Sequence, residues 1–160
     1  MPFLPRPRCQ LYYELHGDPH CPHPPLVFAH GLGGNRHSGA QWLSHWASWG
    51  IGALALQHPG TDDDAAGNSP LALRHLLRTA VDDSQLAIRQ ADLTFALDRI
   101  EAAIPDTTFG IAGHSYGANT TLLAAGARVQ RGGDEAGRGG GVVAPEEGVA
   151  LAAKLDRVGD

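Results

Sequence analysis

Gly113-His114-Ser115-Tyr116-Gly117 holds one serine between two glycines, each two residues away. The stretch before it, "TTFGIAG", is short and apolar, and the stretch after it, "YGANTTLLAAGA", has a helical composition. Together they read as a strand that reverses directly into a helix, the G-x-S-x-G turn that presents a nucleophile. Such a reversal forces close backbone approach on both sides of its tip, where a side chain on Gly113 or Gly117 would clash. Ser115 is expected in a strained backbone conformation with its hydroxyl exposed. The helix that follows points its positive end at the place where negative charge develops during acyl transfer.

A second glycine group, His30-Gly31-Leu32-Gly33-Gly34, also follows an apolar run, "PLVFAHG". With Gly31 and Gly33 freeing the backbone, the N–H of Leu32 joins the N–H of Tyr116 as a two-donor oxyanion hole. The plain alternative is a glycine turn between strand and helix. His30 reads as a structural hydrogen-bonder in that loop rather than a base.

A serine hydroxyl is a poor nucleophile until a base takes its proton. All nine histidines precede Ser115. His58 follows a neighbouring strand and is the candidate surrogate base, although geometry must decide it. His37, His45 and His75 also precede the turn. His114 adjoins the serine, but neighbours in a tight turn point apart.

Three weaker groupings carry little. His16, His20 and His23 with Cys21 loosely resemble metal spacing but lack a second ligand cluster, so a solvated loop is expected and no metal site is assigned. Asp62-Asp63-Asp64 reads as an acidic surface loop rather than a cation site. Trp42, Trp46 and Trp49 stand at helical spacing and are expected in the core rather than in a substrate pocket.

The elements that must position these residues alternate. Strands are expected at Gln10–Gly17, in "PLVFAHG", over Gly50–Gly60 and in "TTFGIAG". Helices are expected over Gln41–Trp49 with Ser38 as N-cap, over Leu71–Ile104 and after Ser115. Within Leu71–Ile104, the residues Leu86, Leu93, Leu97, Ile100 and Ile104 make one apolar face. The result is a doubly wound, mostly parallel α/β sheet with helices on both faces. Its chemistry belongs beyond the carboxyl ends of the strands, at "HGLGG", "QHPGT" and "GHSYG".

At 160 residues the chain is one domain at most, and 42% hydrophobic with 18% charged residues suits a soluble globular class. The net charge of −5 argues against nucleic acid or an anionic membrane as the main partner. No apolar run reaches spanning length, and the prolines of "MPFLPRPRCQ" interrupt any export signal, so the expected location is cytoplasmic. Cys9 and Cys21 make no disulfide framework.

"LYYELHG…PPLVFAHGLGGN", "LALQHPGTDDD" and "GIAGHSYGANT" together resemble the N-terminal half of an α/β-hydrolase, over about residues 10 to 128. "QHPGT" and "GHSYGANT" resemble most the dienelactone-hydrolase-like and platelet-activating-factor-acetylhydrolase-like branch. Dienelactone hydrolases proper use a cysteine nucleophile, and Ser115 favours the esterase side. The resemblance implies a carboxylic-ester hydrolase working through an acyl-serine, with a small-molecule ester substrate and no cofactor. It also implies an acid and then a histidine after the serine. Here the later acids, Asp134, Glu135, Glu146, Glu147, Asp156 and Asp160, follow no recognisable strand, and no histidine follows at all.

Composition changes after Arg128 to a Gly-, Ala- and Arg-rich stretch. The expected organisation is therefore a partial hydrolase domain over 1–128 and a flexible tail over 129–160, with at most one weak helix near its end. A truncated or frame-disrupted hydrolase of low or no activity is expected, its sheet incomplete after the Ser115 strand and helix. That strand would then be an open edge, prone to self-association or to capture of a partner chain. A non-catalytic binding partner using that edge is the alternative function.

Overall fold

The structure, a computed structural model, describes residues 3–6, 9–17, 23–79, 82–105, 108–126 and 149–153. Among the described residues six strands form one sheet in the order β1-β2-β4-β3-β5-β6. They are β1 (Phe3–Arg6), β2 (Cys9–His16), β3 (Leu26–Ala29), β4 (Ala53–Gln57), β5 (Gly110–His114) and β6 (Val149–Ala153). The helices are α1 (Ala40–Ser48), α2 (Asp63–Ala66), α3 (Pro70–Thr79), α4 (Asp83–Ala103) and α5 (Tyr116–Ala124).

The three central strands are parallel, as the alternation of strands and helices requires. Their side chains alternate between two cores. Val27, Leu56 and Ile111 pack against Leu93, Ala96 and Leu97 of α4. Phe28, Ala55 and Ala112 face the other way, against Leu43 of α1, with Trp42 and Trp46 packed on that cluster. Both faces of the sheet are thus covered, the reason these strands read as continuous apolar runs.

Several expectations are corrected. Phe3–Arg6 is a strand, paired antiparallel with β2 at the edge of the sheet, where Pro5 costs no interior ladder bond. Leu71–Ile104 is two helices, because Asp82 caps a new one by accepting from the Ser84 N–H at 3.0 Å. The polar loop after β4 contains the single turn α2, capped by Asp62. Ser38 does not cap α1. Gly39 holds that position, and the Ser38 hydroxyl accepts from the Asn35 N–H instead. Trp49 is 71% exposed rather than core.

Among the described residues β5 is the last parallel strand, but it is not an edge. Val149–Ala153 pairs with it antiparallel from His114↔Val149 to Gly110↔Ala153. Small residues face the glycines of β5 there, and the segment is a strand where a weak helix was expected. Residues 129–148 and 154–160, the rest of the expected tail, lie outside the described residues. Among the described residues no helix is long and apolar enough to cross a membrane.

Leu93 is 1% exposed in the first core. Leu93→Ala is expected to lower unfolding free energy by about 2–5 kcal/mol in urea titration, and Trp49→Ala to change it by less than about 0.5 kcal/mol.

Candidate active site

Strand register brings the three loops together. Ala29 pairs with Leu56 on one side and Gly113 on the other, so the chain leaves β3, β4 and β5 at the same sheet edge.

β5 ends at His114 and α5 begins at Tyr116, leaving Ser115 alone in the turn. Its φ is 55° and ψ −118°, and it is the one non-glycine residue with positive φ among those described. Such a conformation costs about 1–3 kcal/mol. The flanking glycines explain how it persists. A Cβ on Gly113 would lie 2.2 Å from the Gly117 carbonyl oxygen. A Cβ on Gly117 would lie 2.0 Å from the Ala29 oxygen and 2.7 Å from the His30 oxygen. The end of β3 therefore presses directly on the first turn of α5. Ser115 is exposed at the tip, and its carbonyl accepts the Ala118 N–H at 2.9 Å to start the helix.

The loop after β3 lies beside it. A Cβ on Gly31 would meet Ser115 Cβ at 3.2 Å and His114 Nδ1 at 3.5 Å. Gly33 has φ +69° and donates its N–H to the Thr61 oxygen at 2.9 Å, and the Gly34 N–H closes on the Gly31 oxygen at 3.1 Å. Between these engaged groups, the Leu32 N–H makes no hydrogen bond with any described residue. Asp63 N–H to Gly34 oxygen, at 2.9 Å, completes a short backbone ladder that ties this loop to the one after β4.

Beneath the turn sits a residue the apolar pattern had passed over. Arg89 of α4 is 0% exposed. Its Nε donates to Thr120 Oγ1 at 2.9 Å, its Nη1 to Thr61 Oγ1 at 2.8 Å and its Nη2 to the His30 carbonyl. The guanidinium also lies 5.1 Å from the centre of the Tyr116 ring. Burial pulls its pKa down to about 9, with Tyr116 and Asp62 acting the other way, so it stays charged at neutral pH.

His30 and His58 are both fully buried. His30 Nδ1 donates to the Gly31 oxygen at 2.6 Å, and its Nε2 accepts the His58 N–H at 2.9 Å. That pair of bonds fixes the neutral tautomer, in keeping with the structural role expected of His30. Burial and then the Arg89 charge push its pKa down to about 4, against the opposing pull of the Gly31 carbonyl. The His58 ring donates from Nδ1 to Asp92 Oδ2 at 3.1 Å, inward toward α4, while Ser115 is exposed. Leu86, Arg89, Leu93 and Ala96 are spaced by three and four residues, so the gap in the leucine face was the signal for Arg89.

The other candidates scatter. His37 and His75 are exposed, and His45 meets the exposed Trp49 edge-on at 6.3 Å. The His114 ring turns to Trp42, 5.4 Å away. Asp62, Asp63 and Asp64 come close enough to share a cation. Asp62, however, accepts from the Ala65 N–H and from Gln57, and Asp63 accepts from Asn35. His20 and Cys21 lie outside the described residues.

The fold is of the α/β-hydrolase type, a mixed sheet carrying its tight serine turn after a central parallel strand. Solved structures similar to it include esterases. One is a carboxylesterase from the ammonia-oxidizing thaumarchaeon Nitrososphaera gargenis, 25% identical with a TM-score of 0.52 over 78% of this chain and 40% of that one. Another is a cold-adapted esterase from an Arctic intertidal metagenomic library, 24% identical with a TM-score of 0.55 over 77% and 53% of the two chains. The chain thus spans about half the length of these structures or less. No protein-family model and no curated protein matches it.

Two outcomes are expected from this geometry. Ser115→Gly removes the strained non-glycine φ and should raise unfolding free energy by about 1 kcal/mol, read from urea midpoints. His30 is neutral in the folded state and protonates more readily in the unfolded one, since its pKa falls from 6.5 to about 4 on folding. Its contribution is present above pH 6.5 and is lost as pH falls toward 4. At 1.36 kcal/mol per pH unit the loss is about 3 kcal/mol. His30→Gln keeps an acceptor for the His58 N–H, and its stability should fall less steeply than wild type between pH 7 and pH 4.

Proposed function

We propose that this chain is a serine hydrolase module acting on small carboxylic esters. Ser115 Oγ attacks the ester carbonyl, the bond to the alcohol breaks and the alcohol leaves with the serine's proton, and water then hydrolyses the acyl-serine to the carboxylic acid and the free hydroxyl. The backbone N–H groups of Leu32 and Tyr116 hold the oxyanion. The observation that carries this reading is the strained, exposed Ser115, held between Gly113 and Gly117 with Gly31 alongside. The esterase neighbours support it. No cofactor enters the reaction.

The base is the missing part. No histidine follows His114, and His30 and His58 are engaged within the buried frame under the turn. The 160 residues alone therefore hydrolyse esters weakly or not at all. The alternative function, a non-catalytic binding partner, gains no support from an open edge at β5, since β5 is paired with β6.

The purified chain, incubated with a fluorophosphonate, should label slowly at Ser115, mapped by mass spectrometry, and Ser115→Ala should abolish the label. Label on another residue, or none at all, overturns Ser115 as nucleophile. Turnover of p-nitrophenyl butyrate should stay within about 10³–10⁴ of the uncatalysed rate. A rate far above that would place a working base inside this sequence.

A further inference from the structure

Helix α3 is loosely seated. Of its four leucines only Leu76 is buried, while Leu71 is 78%, Leu73 50% and Leu77 55% exposed. Leu76 is its anchor, with its Cδ2 3.5 Å from where a Cβ on Gly33 would stand. The remaining face is basic. Arg74, His75 and Arg78 are exposed, and α3 has no acidic residue.

Arg74 and Arg78 stand one turn apart. Like charges at that spacing disfavour a helix. Among the described residues neither guanidinium has a hydrogen bond or an ion pair. This local pair of cations is kept in a chain whose net charge is −5. Both line a cleft of about 670 Å³, with Ser69, Leu71, Ala72 and His75 completing the described lining. Guanidinium groups recognise planar oxyanions through paired N–H donors, and Leu71 beside them offers apolar surface.

We propose that this cleft binds one anionic amphiphile from solution, its oxyanion head held by Arg74 and Arg78 and its apolar chain laid along Leu71. The proposal stands apart from the role given to Ser115, because every described lining residue belongs to α3 or the loop before it.

Titration calorimetry on the purified 160-residue chain tests it. Octanoate is the probe, with neutral octyl glucoside and acetate as comparisons, all below micelle-forming concentrations. Octanoate should bind at least tenfold more tightly than either comparison. Arg74→Gln with Arg78→Gln should weaken octanoate at least tenfold without moving the thermal midpoint, Leu71→Ser should also weaken it, and Ser115→Ala should bind as wild type. Equal binding of octanoate and octyl glucoside would reduce the site to an apolar face and overturn the proposal. Loss of binding in Ser115→Ala would move the ligand to the serine turn and overturn it too. So would binding to phosphatidylglycerol vesicles with none to octanoate, which would make α3 a lipid-surface contact.

Discussion

One buried guanidinium organises the carboxyl end of this sheet. Arg89 reaches three different segments with three different nitrogens: the β3 loop through the His30 carbonyl, the β4 loop through Thr61 and α5 through Thr120. Those segments have no covalent reason to stay in register, since each leaves the sheet independently. A buried ion is expensive unless its donors are satisfied, and truncating it leaves the acceptors stranded as well. The flat, forked donor set explains why arginine rather than lysine fits here. Because the β3 loop also presses on Gly117, fixing His30 fixes the wall against which Ser115 is strained.

The histidines then fall into place as frame. His30 accepts from the His58 backbone, and His58 donates to Asp92, so α4 holds the β4 loop twice, through Arg89–Thr61 and Asp92–His58. The nearby Arg89 charge and burial both oppose a proton on His30. A ring whose acceptor nitrogen already holds an N–H cannot receive a proton from a serine. Proximity in the fold, which first recommended His58, is therefore a different matter from orientation: its ring faces a buried carboxylate on the helix side of the sheet.

Much of this was legible in sequence. The serine turn was readable because steric demand leaves few substitutes for Gly113 and Gly117, where an added Cβ would come within 2.2 Å and 2.0 Å of a carbonyl oxygen. The parallel strands were readable because burial on both faces demands unbroken apolar runs. Arg89 and Asp92 were hidden because a periodicity search counts apolar residues, and a satisfied buried ion occupies an apolar position without looking like one. β1 was passed over because Pro5 argues against a strand, and only pairing at the sheet edge makes it tolerable. β6 was hidden for a different reason: "VALAA" has weak preferences of its own, and β5 supplies the ladder that decides it.

The departures from ordinary folding rules are not spread over the molecule. A serine with φ of 55°, a fully buried arginine, a buried histidine–aspartate pair and a histidine held neutral to about pH 4 all sit beyond the carboxyl ends of β3, β4 and β5 or directly beneath them. Apart from that edge and the exposed leucines of α3, the described chain has aliphatic cores on both sheet faces. Each departure costs stability by itself, and each is held by the next: the strain by the glycine contacts, the β3 loop by Arg89, the β4 loop by Asp92. Packing alone does not require such a chain of dependencies, since an alanine turn and an apolar α4 would cover the same sheet. That costly local structure is concentrated at the one edge where α/β sheets place their ligands. At that edge stand an exposed Ser115 and the Leu32 N–H, while the histidines buried near them, His30 and His58, are engaged in the hydrogen bonds of the frame.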